Sequence, residues 1–202
     1  MDAEVTKELI GKTVNDLIKT RPLNKITIGE ITDQAHISRQ TFYYHFKDVF
    51  SVYRFCIESK LPVPTKDSSP SLIGMMFEWM QTFEKLRTFT IEINSSKYQR
   101  QLMDYLDAVN RKTVMSFLKK NTEFTTNDEE TMAMTVDFLT FAINGTMIQW
   151  VADGMKRSAV DICNAIVALV EAGLNGVAYI AMTKNWVPPK ENGGILNGRR
   201  RY

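Results

Sequence analysis

Hydrophobic residues recur every three or four positions along most of the chain, which is the period of amphipathic α-helices. The first such segment carries Val5, Leu9, Ile10, Val14, Leu17 and Ile18 on one predicted face. Pro22 prevents that helix from continuing, and three prolines between residues 62 and 70 predict a loop. The pattern predicts an all-α fold with helices over residues 3–20, 27–35, 38–46, 48–61, 71–86, 96–120 and 129–153, and a last helix that begins near residue 158.

Two of these helices are short and have clear start signals. Thr27 and Glu30 have the spacing of a capping box, in which each side chain bonds the backbone amide of the other. Ser38 is a good N-cap for the second helix, and the chain turns between the two at His36 and Ile37. The segment therefore predicts a helix-turn-helix.

The second short helix separates an apolar face from a polar and aromatic one. Phe42 and Phe46 fall together and point inward, whereas the opposite side presents hydrogen-bonding groups over an arc of roughly 140°. Arginine can bond guanine and glutamine can bond adenine in the major groove, and flanking residues suit the sugar-phosphate backbone. The predicted DNA-binding residues are Thr27, Ser38, Arg39, Gln40, Thr41, Tyr43, Tyr44, His45 and Lys47. The alternative is an ordinary solvated helix face.

The segment from residue 26 to residue 48 resembles the N-terminal DNA-binding segment of the TetR/AcrR family of bacterial transcription regulators. The family signature Ser-x-x-Thr-Leu/Phe-Tyr-x-His/Tyr-Phe is matched at Ser38, Thr41, Phe42, Tyr43, His45 and Phe46. The resemblance implies a homodimeric, all-helical, ligand-responsive regulator. It divides the chain into a three-helix DNA-binding head (1–47) and a helical effector-binding and dimerisation body (48–184). The prolines, glycines and terminal arginines of residues 185–202 predict a flexible tail.

One position departs from the family pattern. Members often carry a lysine at the start of the helix that follows the recognition helix, where it meets a phosphate, and this chain has Val49. Lys47 is a nearby substitute for that charge, so the departure bears on DNA affinity rather than on the fold. The C-terminal half is also similar to a Gram-positive subgroup that includes activators of dihydroxyacetone-kinase operons, some of which respond to a protein partner.

The middle helices carry stripes of methionine and aromatic residues. Such stripes are most often plain core, but flexible and aromatic side chains also line apolar ligand pockets. The resemblance places an effector cavity among these helices. The predicted effector-binding residues are Trp79, Met80, Phe83, Tyr98 and Tyr105.

The last two helices are apolar around much of their circumference and contain small residues that allow close helix approach. This composition favours a four-helix interface to which each subunit gives two helices, and burial inside one chain is the alternative. The predicted interface residues are Phe138, Ala142, Gly145, Ile162, Ile166, Leu169 and Gly173. A two-fold dimer would set two recognition helices about 34 Å apart, which predicts double-stranded DNA with a near-palindromic operator.

Charge and cysteine content limit the other classes of function. The 25 Lys and Arg against 23 Asp and Glu give a net charge of +2, so local placement must supply any attraction to DNA. Cys56 and Cys163 are far apart, which suits reduced thiols in a cytoplasmic protein. Neither a zinc pattern nor a catalytic constellation is present, so we expect no metal, no cofactor and no enzyme activity; an enzyme that uses Cys56 or His45 is the weakest alternative. No stretch has the roughly 18 consecutive apolar residues of a membrane span.

The sequence therefore predicts a dimeric, sequence-specific transcriptional repressor that a small-molecule effector releases from DNA. The alternative is an activator or adaptor of the same fold, controlled by a protein partner, with weak or no operator binding of its own.

Overall fold

The computed structural model describes residues 2–61, 72–120, 128–166 and 168–169, and these form helices without strands. The helices are α1 (Ala3–Leu17), the 3-10 helix η1 (Leu23–Lys25), α2 (Ile28–Gln34), α3 (Arg39–His45), α4 (Val49–Glu58), α5 (Leu72–Lys85), α6 (Arg87–Asn94), α7 (Gln99–Lys120), α8 (Glu129–Ala152) and α9 (159–166). The all-α prediction is confirmed.

Helices α1, α2 and α3 pack on one another and form the N-terminal head. Its centre holds Ile10 and Val14 of α1, Ile31 of α2 and Phe42 of α3, each with 0% of its surface exposed. Residues that are apolar at helical spacing therefore meet across all three helices, and their burial is the main stabilising term of the head.

Helix α4 connects the head to the body and packs on both α1 and α6. Tyr53 of α4 is fully buried, with its ring centroid 5.0 Å from that of Phe89 and its hydroxyl 2.9 Å from Thr90 Oγ1 on α6. Burial raises the pKa of the Tyr53 phenol, so this group stays neutral and donates its hydrogen bond. Beyond α6, α7 packs along α8 and completes the body.

The first helix differs from the prediction in length and in one buried position. It ends at Leu17 rather than Thr20, and the Thr20 hydroxyl donates to the Leu17 carbonyl at 2.8 Å, a local bond that competes with another helical turn. Val5, predicted on the apolar face, is 51% exposed. Five residues rotate a helix by about 500°, so Val5 lies roughly 140° from Ile10 and outside the packed stripe.

Helix α6 is not predicted by the sequence pattern. The predicted helix 71–86 ends at Lys85, and a separate helix follows from Arg87 to Asn94 where a short interruption was expected. This segment is rich in β-branched residues, which lower helix propensity. Phe89 and Ile93, one turn apart, are nonetheless fully buried, and this tertiary packing outweighs the weak local preference.

The predicted end of α8 is confirmed. Gly154 has φ +75°, its amide donates to the Val151 carbonyl, and the Met155 amide donates to the Trp150 carbonyl, the two bonds of a Schellman motif. The predicted start of α9 is also confirmed, because the Ser158 hydroxyl accepts from the Asp161 amide at 3.1 Å.

Among the described helices, α8 is long and apolar enough to cross a membrane by length and composition alone. Core helices of soluble proteins pass the same test, and 33% of its most apolar window is buried within the chain. One side of α8 faces the core through Ile143 and Met147, whereas Met134, Phe138 and Phe141 are exposed. The predicted loop 62–70, the interface residue Gly173 and the tail 185–202 lie outside the described residues.

Candidate nucleic-acid interface

Both short helices of the head begin with the predicted caps. The Thr27 hydroxyl accepts from the Glu30 amide at 3.2 Å, and the Glu30 carboxylate accepts from the Thr27 amide at 2.8 Å, which completes the capping box. At α3 the Ser38 hydroxyl accepts from the Thr41 amide at 2.9 Å. These local bonds fix the starts of α2 and α3 and therefore their relative orientation.

The turn between them contains a non-glycine residue with a left-handed backbone. His36 has φ +52°, its amide donates to the Asp33 carbonyl, and the Ile37 amide donates to the Thr32 carbonyl. These two bonds close a Schellman motif at the end of α2. The chain reverses sharply at this point and carries α3 across α2.

Helix α3 turns its phenylalanines inward, as predicted. Phe42 is 0% and Phe46 5% exposed, and their ring centroids lie 6.1 Å apart. On the other side Tyr43 is 58% and Tyr44 82% exposed. Tyrosine hydroxyls can bond phosphate oxygens, so α3 presents a candidate contact surface for DNA.

The predicted DNA-binding residues all reach the surface of the head. Seven are exposed and two are half-buried; the exposed residues are Thr27, Ser38, Arg39, Gln40, Tyr43, Tyr44 and Lys47, and the half-buried ones are Thr41 and His45. The structure therefore brings them together on α3 and the first turn of α2. Their function in binding DNA stays a prediction.

Three of the predicted DNA-contacting hydroxyls are already engaged within the protein. The Thr27 hydroxyl also donates to the Glu30 carboxylate at 3.0 Å, and the Ser38 and Thr41 hydroxyls bond each other at 2.8 Å. The Thr27 amide and hydroxyl hold the pKa of the Glu30 carboxyl below its usual value, and Arg21 pairs with that carboxylate at 2.9 Å. Thr27 can offer a phosphate its hydroxyl hydrogen only after releasing Glu30.

The free positive charge of this surface comes from Arg39 and Lys47. Neither forms an ion pair with another described residue, whereas Lys7, Lys19, Arg21 and Arg54 pair with nearby carboxylates. Unpaired cations next to exposed hydrogen-bonding groups are the arrangement that attracts a polyanion.

Position 49 does not face this surface. Val49 is the first residue of α4 and is 3% exposed, so its side chain belongs to the core. Asp48 caps α4 by accepting from the Ser51 amide at 2.8 Å. Lys47, which is exposed, lies two residues before the first residue of α4.

Within the part of the chain that the structure describes, the predicted effector residues pack closely on one another. Met80 and Phe83 are 0% exposed, and the Trp79 ring lies 6.0 Å from that of Phe83 and 5.8 Å from that of Tyr105. Tyr98 and Tyr105 are half-buried. The Tyr105 hydroxyl donates to Glu58 of α4 at 3.0 Å, a link between the body and α4 that the sequence did not indicate.

The predicted dimer residues divide into two groups. Phe138, Ala142 and Gly145 lie exposed on α8, and Leu169 is 70% exposed. Ile162 and Ile166 are instead 5% and 3% exposed, because they pack into the core of their own chain. Surface clefts of about 540 and 570 Å³ both include Gly145. An apolar strip, defined here as Met134, Phe138, Phe141 and Gly145, thus remains uncovered on α8.

Cys56, one of the two residues considered for enzyme activity, lies in a partly buried position on α4. Burial raises the pKa of the Cys56 thiol to about 11, which keeps it protonated and weakly nucleophilic at neutral pH. Burial also raises the pKa of Cys163. The part of the chain that the structure describes contains no cluster of three or more His, Cys, Asp or Glu side chains able to hold a metal ion.

Comparisons with known proteins give a consistent result. Residues 71–172, about half of the chain, match the family model TetR_C_8, a transcriptional regulator C-terminal region. Ten solved chains resemble this fold. One, the "Dihydroxyacetone kinase operon activator DhaS", has a TM-score of 0.65 at 16% identity over 85% of this chain and 97% of its own.

Another solved structure is a TetR-family transcriptional regulator from Streptomyces coelicolor. It has a TM-score of 0.52 at 16% identity and covers 92% of each chain. At this identity the likeness shows the fold alone. None of the curated proteins matches the sequence.

Proposed function

The chain belongs to the TetR family of transcriptional regulators, and from this premise we propose that it is a homodimer that binds a near-palindromic DNA operator. One observation carries the proposal. Helix α3 buries Phe42 and leaves Arg39, Gln40 and Tyr44 on the surface beside unpaired positive charge. Arginine and glutamine at the start of a recognition helix suit base edges, and lysine and tyrosine suit phosphates.

The apolar strip on α8 supports the dimer. Its large side chains are about two-thirds exposed, and soluble proteins rarely leave a contiguous apolar patch of this kind in water. A second copy that places its own strip against this one, with Leu169 beside it, would cover both. Ile162 and Ile166 then support α9 from inside rather than meet the partner.

We further propose that effector binding at the aromatic residues of the body weakens operator binding, which makes the protein a repressor. Trp79 contacts Tyr105, and Tyr105 holds Glu58 of α4. A small molecule that displaces Tyr105 would change how α4 lies between body and head. The effector can act only by preferring the non-binding geometry, and DNA must then weaken effector binding equally.

A second link between body and head supports the same route. The Leu23 amide of the head donates to the Glu92 carboxylate of α6 at 2.6 Å. Thr90 of α6 also accepts a hydrogen bond from Tyr53 of α4. A displacement of α6 would therefore be transmitted to the head through two contacts, one with Leu23 and one with Tyr53.

An activator or adaptor controlled by a protein partner is the second candidate. Two observations favour it: the structural neighbour with the higher TM-score is named an operon activator, and the predicted effector residues are tightly packed. In this case a partner protein would take the place of the small molecule.

TetR-family regulators are soluble and are generally not enzymes, and we propose a cytoplasmic location with no cofactor. The protonated state of Cys56 supports the absence of thiol catalysis.

A selection from fragmented genomic DNA tests the operator proposal. Native protein, Arg39→Ala and Tyr43→Ala are compared at low and physiological salt, because binding through phosphates alone falls steeply with salt. We expect native protein to enrich one near-palindromic sequence at both salts, and both variants to lose it while remaining dimers. Enrichment of no sequence at either salt would reject operator binding and favour the adaptor.

A further inference from the structure

Gly29 lies in the first turn of α2 and is buried beneath the side chain of Arg39. A Cβ atom at residue 29 would lie 2.7 Å from Arg39 Nη2 and 3.6 Å from its Cζ. The first distance is far inside van der Waals contact, so any side chain at this position displaces the guanidinium. The absence of a Cβ therefore sets where the Arg39 charge lies.

The backbone gives no other reason for a glycine at this position. Residue 29 lies within a regular α-helix, and positive φ among the described glycines is confined to Gly154. Alanine has the higher helix propensity and would be preferred on local grounds. Apart from Arg39, the added Cβ would approach only Thr27 Oγ1, at an ordinary distance of 3.7 Å.

The guanidinium lies against Gly29 and is not held there by hydrogen bonding to a described residue. Arg39 forms no hydrogen bond or ion pair with another described residue, and Glu30, the acidic residue next to Gly29, is already paired with Arg21. The N–H donors of Arg39 are consequently available to a ligand, while its carbon and nitrogen atoms rest on α2. An arginine that already packs against a neighbouring helix has fewer conformations to lose when it binds two acceptors at once.

We propose that Gly29 is a positioning residue for sequence recognition: it lets Arg39 rest across α2 so that the guanidinium meets the O6 and N7 atoms of one guanine in each operator half-site. The inference rests on the proposed operator binding. A guanine-specific contact needs both hydrogen bonds in one plane, so a displacement of the guanidinium costs selectivity at that base pair first.

The test is a selection from double-stranded DNA with a randomised central region, using native protein, Gly29→Ala, Arg39→Ala and the double variant. Gln34→Ala, at an exposed position of the same helix, is the matched control. For each protein we then measure the affinity for the native consensus sequence and for its single-base variants, and the thermal unfolding temperature. The unfolding temperature distinguishes a variant in which only the arginine is displaced from one in which the whole head is destabilised.

We expect Gly29→Ala to unfold at the same or a higher temperature and yet to lose about tenfold in discrimination at one base pair of each half-site. Arg39→Ala should lose discrimination at that same base pair, and the double variant should be no worse than Arg39→Ala. Gln34→Ala should select the native sequence.

Two results would overturn the proposal while leaving operator binding intact. One is a Gly29→Ala protein with the native base preference at every position, and the other is a uniform loss of affinity that continues in the Arg39→Ala background. If the native protein itself enriches no sequence, the proposed operator binding is rejected, and the proposed role of Gly29 is rejected with it.

Discussion

At the scale of single residues, the backbone geometry at the ends of α2 and α8 predicts how two substitutions change the stability of the protein. His36 and Gly154 occupy equivalent left-handed positions in two Schellman motifs, one with a side chain and one without. A side chain in this region costs about 1–2 kcal/mol, partly offset by the greater freedom of an unfolded glycine. The strain of a side chain in the left-handed region can therefore be removed at His36 and introduced at Gly154.

His36→Gly should stabilise the protein by about 0.5–1 kcal/mol, because it removes the left-handed strain and His36 is exposed. Urea unfolding, followed by circular dichroism, measures the change. A lower urea midpoint would show that the imidazole makes a stabilising contact larger than the strain.

Gly154→Ala should destabilise by about 1 kcal/mol. An added Cβ would meet nothing within 4 Å, so the effect isolates the backbone term from any clash. The same urea titration measures it. An unchanged midpoint would mean that the end of α8 frays before the global transition.

At the scale of helices, the contact between α1 and α4 depends on a close approach. A Cβ at Gly11 would lie 2.7 Å from Cys56 Sγ, so the two helices meet here without space for a methyl group. Gly11→Ala should destabilise by about 1–2 kcal/mol in the native background through overpacking.

In a Cys56→Ala background the same Gly11→Ala change should be neutral or stabilising, by up to about 1 kcal/mol, because the clash is gone and helix propensity improves. A double-mutant cycle of unfolding free energies measures this reversal. Additive effects of the two substitutions would contradict the contact.

The link between α6 and the head predicts a local loss of order. Glu92→Ala removes the acceptor of the Leu23 amide and should accelerate hydrogen exchange across residues 22–26, with a stability loss of about 1–2 kcal/mol. Hydrogen exchange with mass spectrometry resolves the segment. Glu129→Ala, at an exposed position of α8, is the control; equal protection of residues 22–26 in both variants would contradict the link.

At the scale of the whole molecule, the proposed dimer depends on the apolar strip of α8. Phe138→Asp should raise the dimer Kd at least about 500-fold, because two-fold symmetry buries the new carboxylate twice, at about 2 kcal/mol or more each. Sedimentation across a dilution series measures the change. Val5→Asp makes the same chemical change at an exposed apolar residue of the head and should leave the dimer intact.

A native protein that sediments as a monomer at all concentrations would reject the dimer outright. A dimer that withstands Phe138→Asp would place the interface elsewhere on the surface.

The sequence by itself determined what depends on neighbours three or four residues apart. The capping box of Thr27 and Glu30, the cap at Ser38 and the inward phenylalanines of α3 all follow from helical spacing and local hydrogen bonding. These features were sufficient to predict the all-α fold and the helix-turn-helix.

Only the tertiary structure decided which surfaces meet. The α6 helix forms because distant helices bury Phe89 and Ile93, against its local propensity. The Leu23 amide finds its acceptor 69 residues away, and Gly29 supports an arginine on another helix. Ile162 and Ile166 proved internal although the same apolar pattern would fit an interface. Periodicity reveals that a face will be buried, but the partner that buries it is selected by packing among elements far apart in the chain.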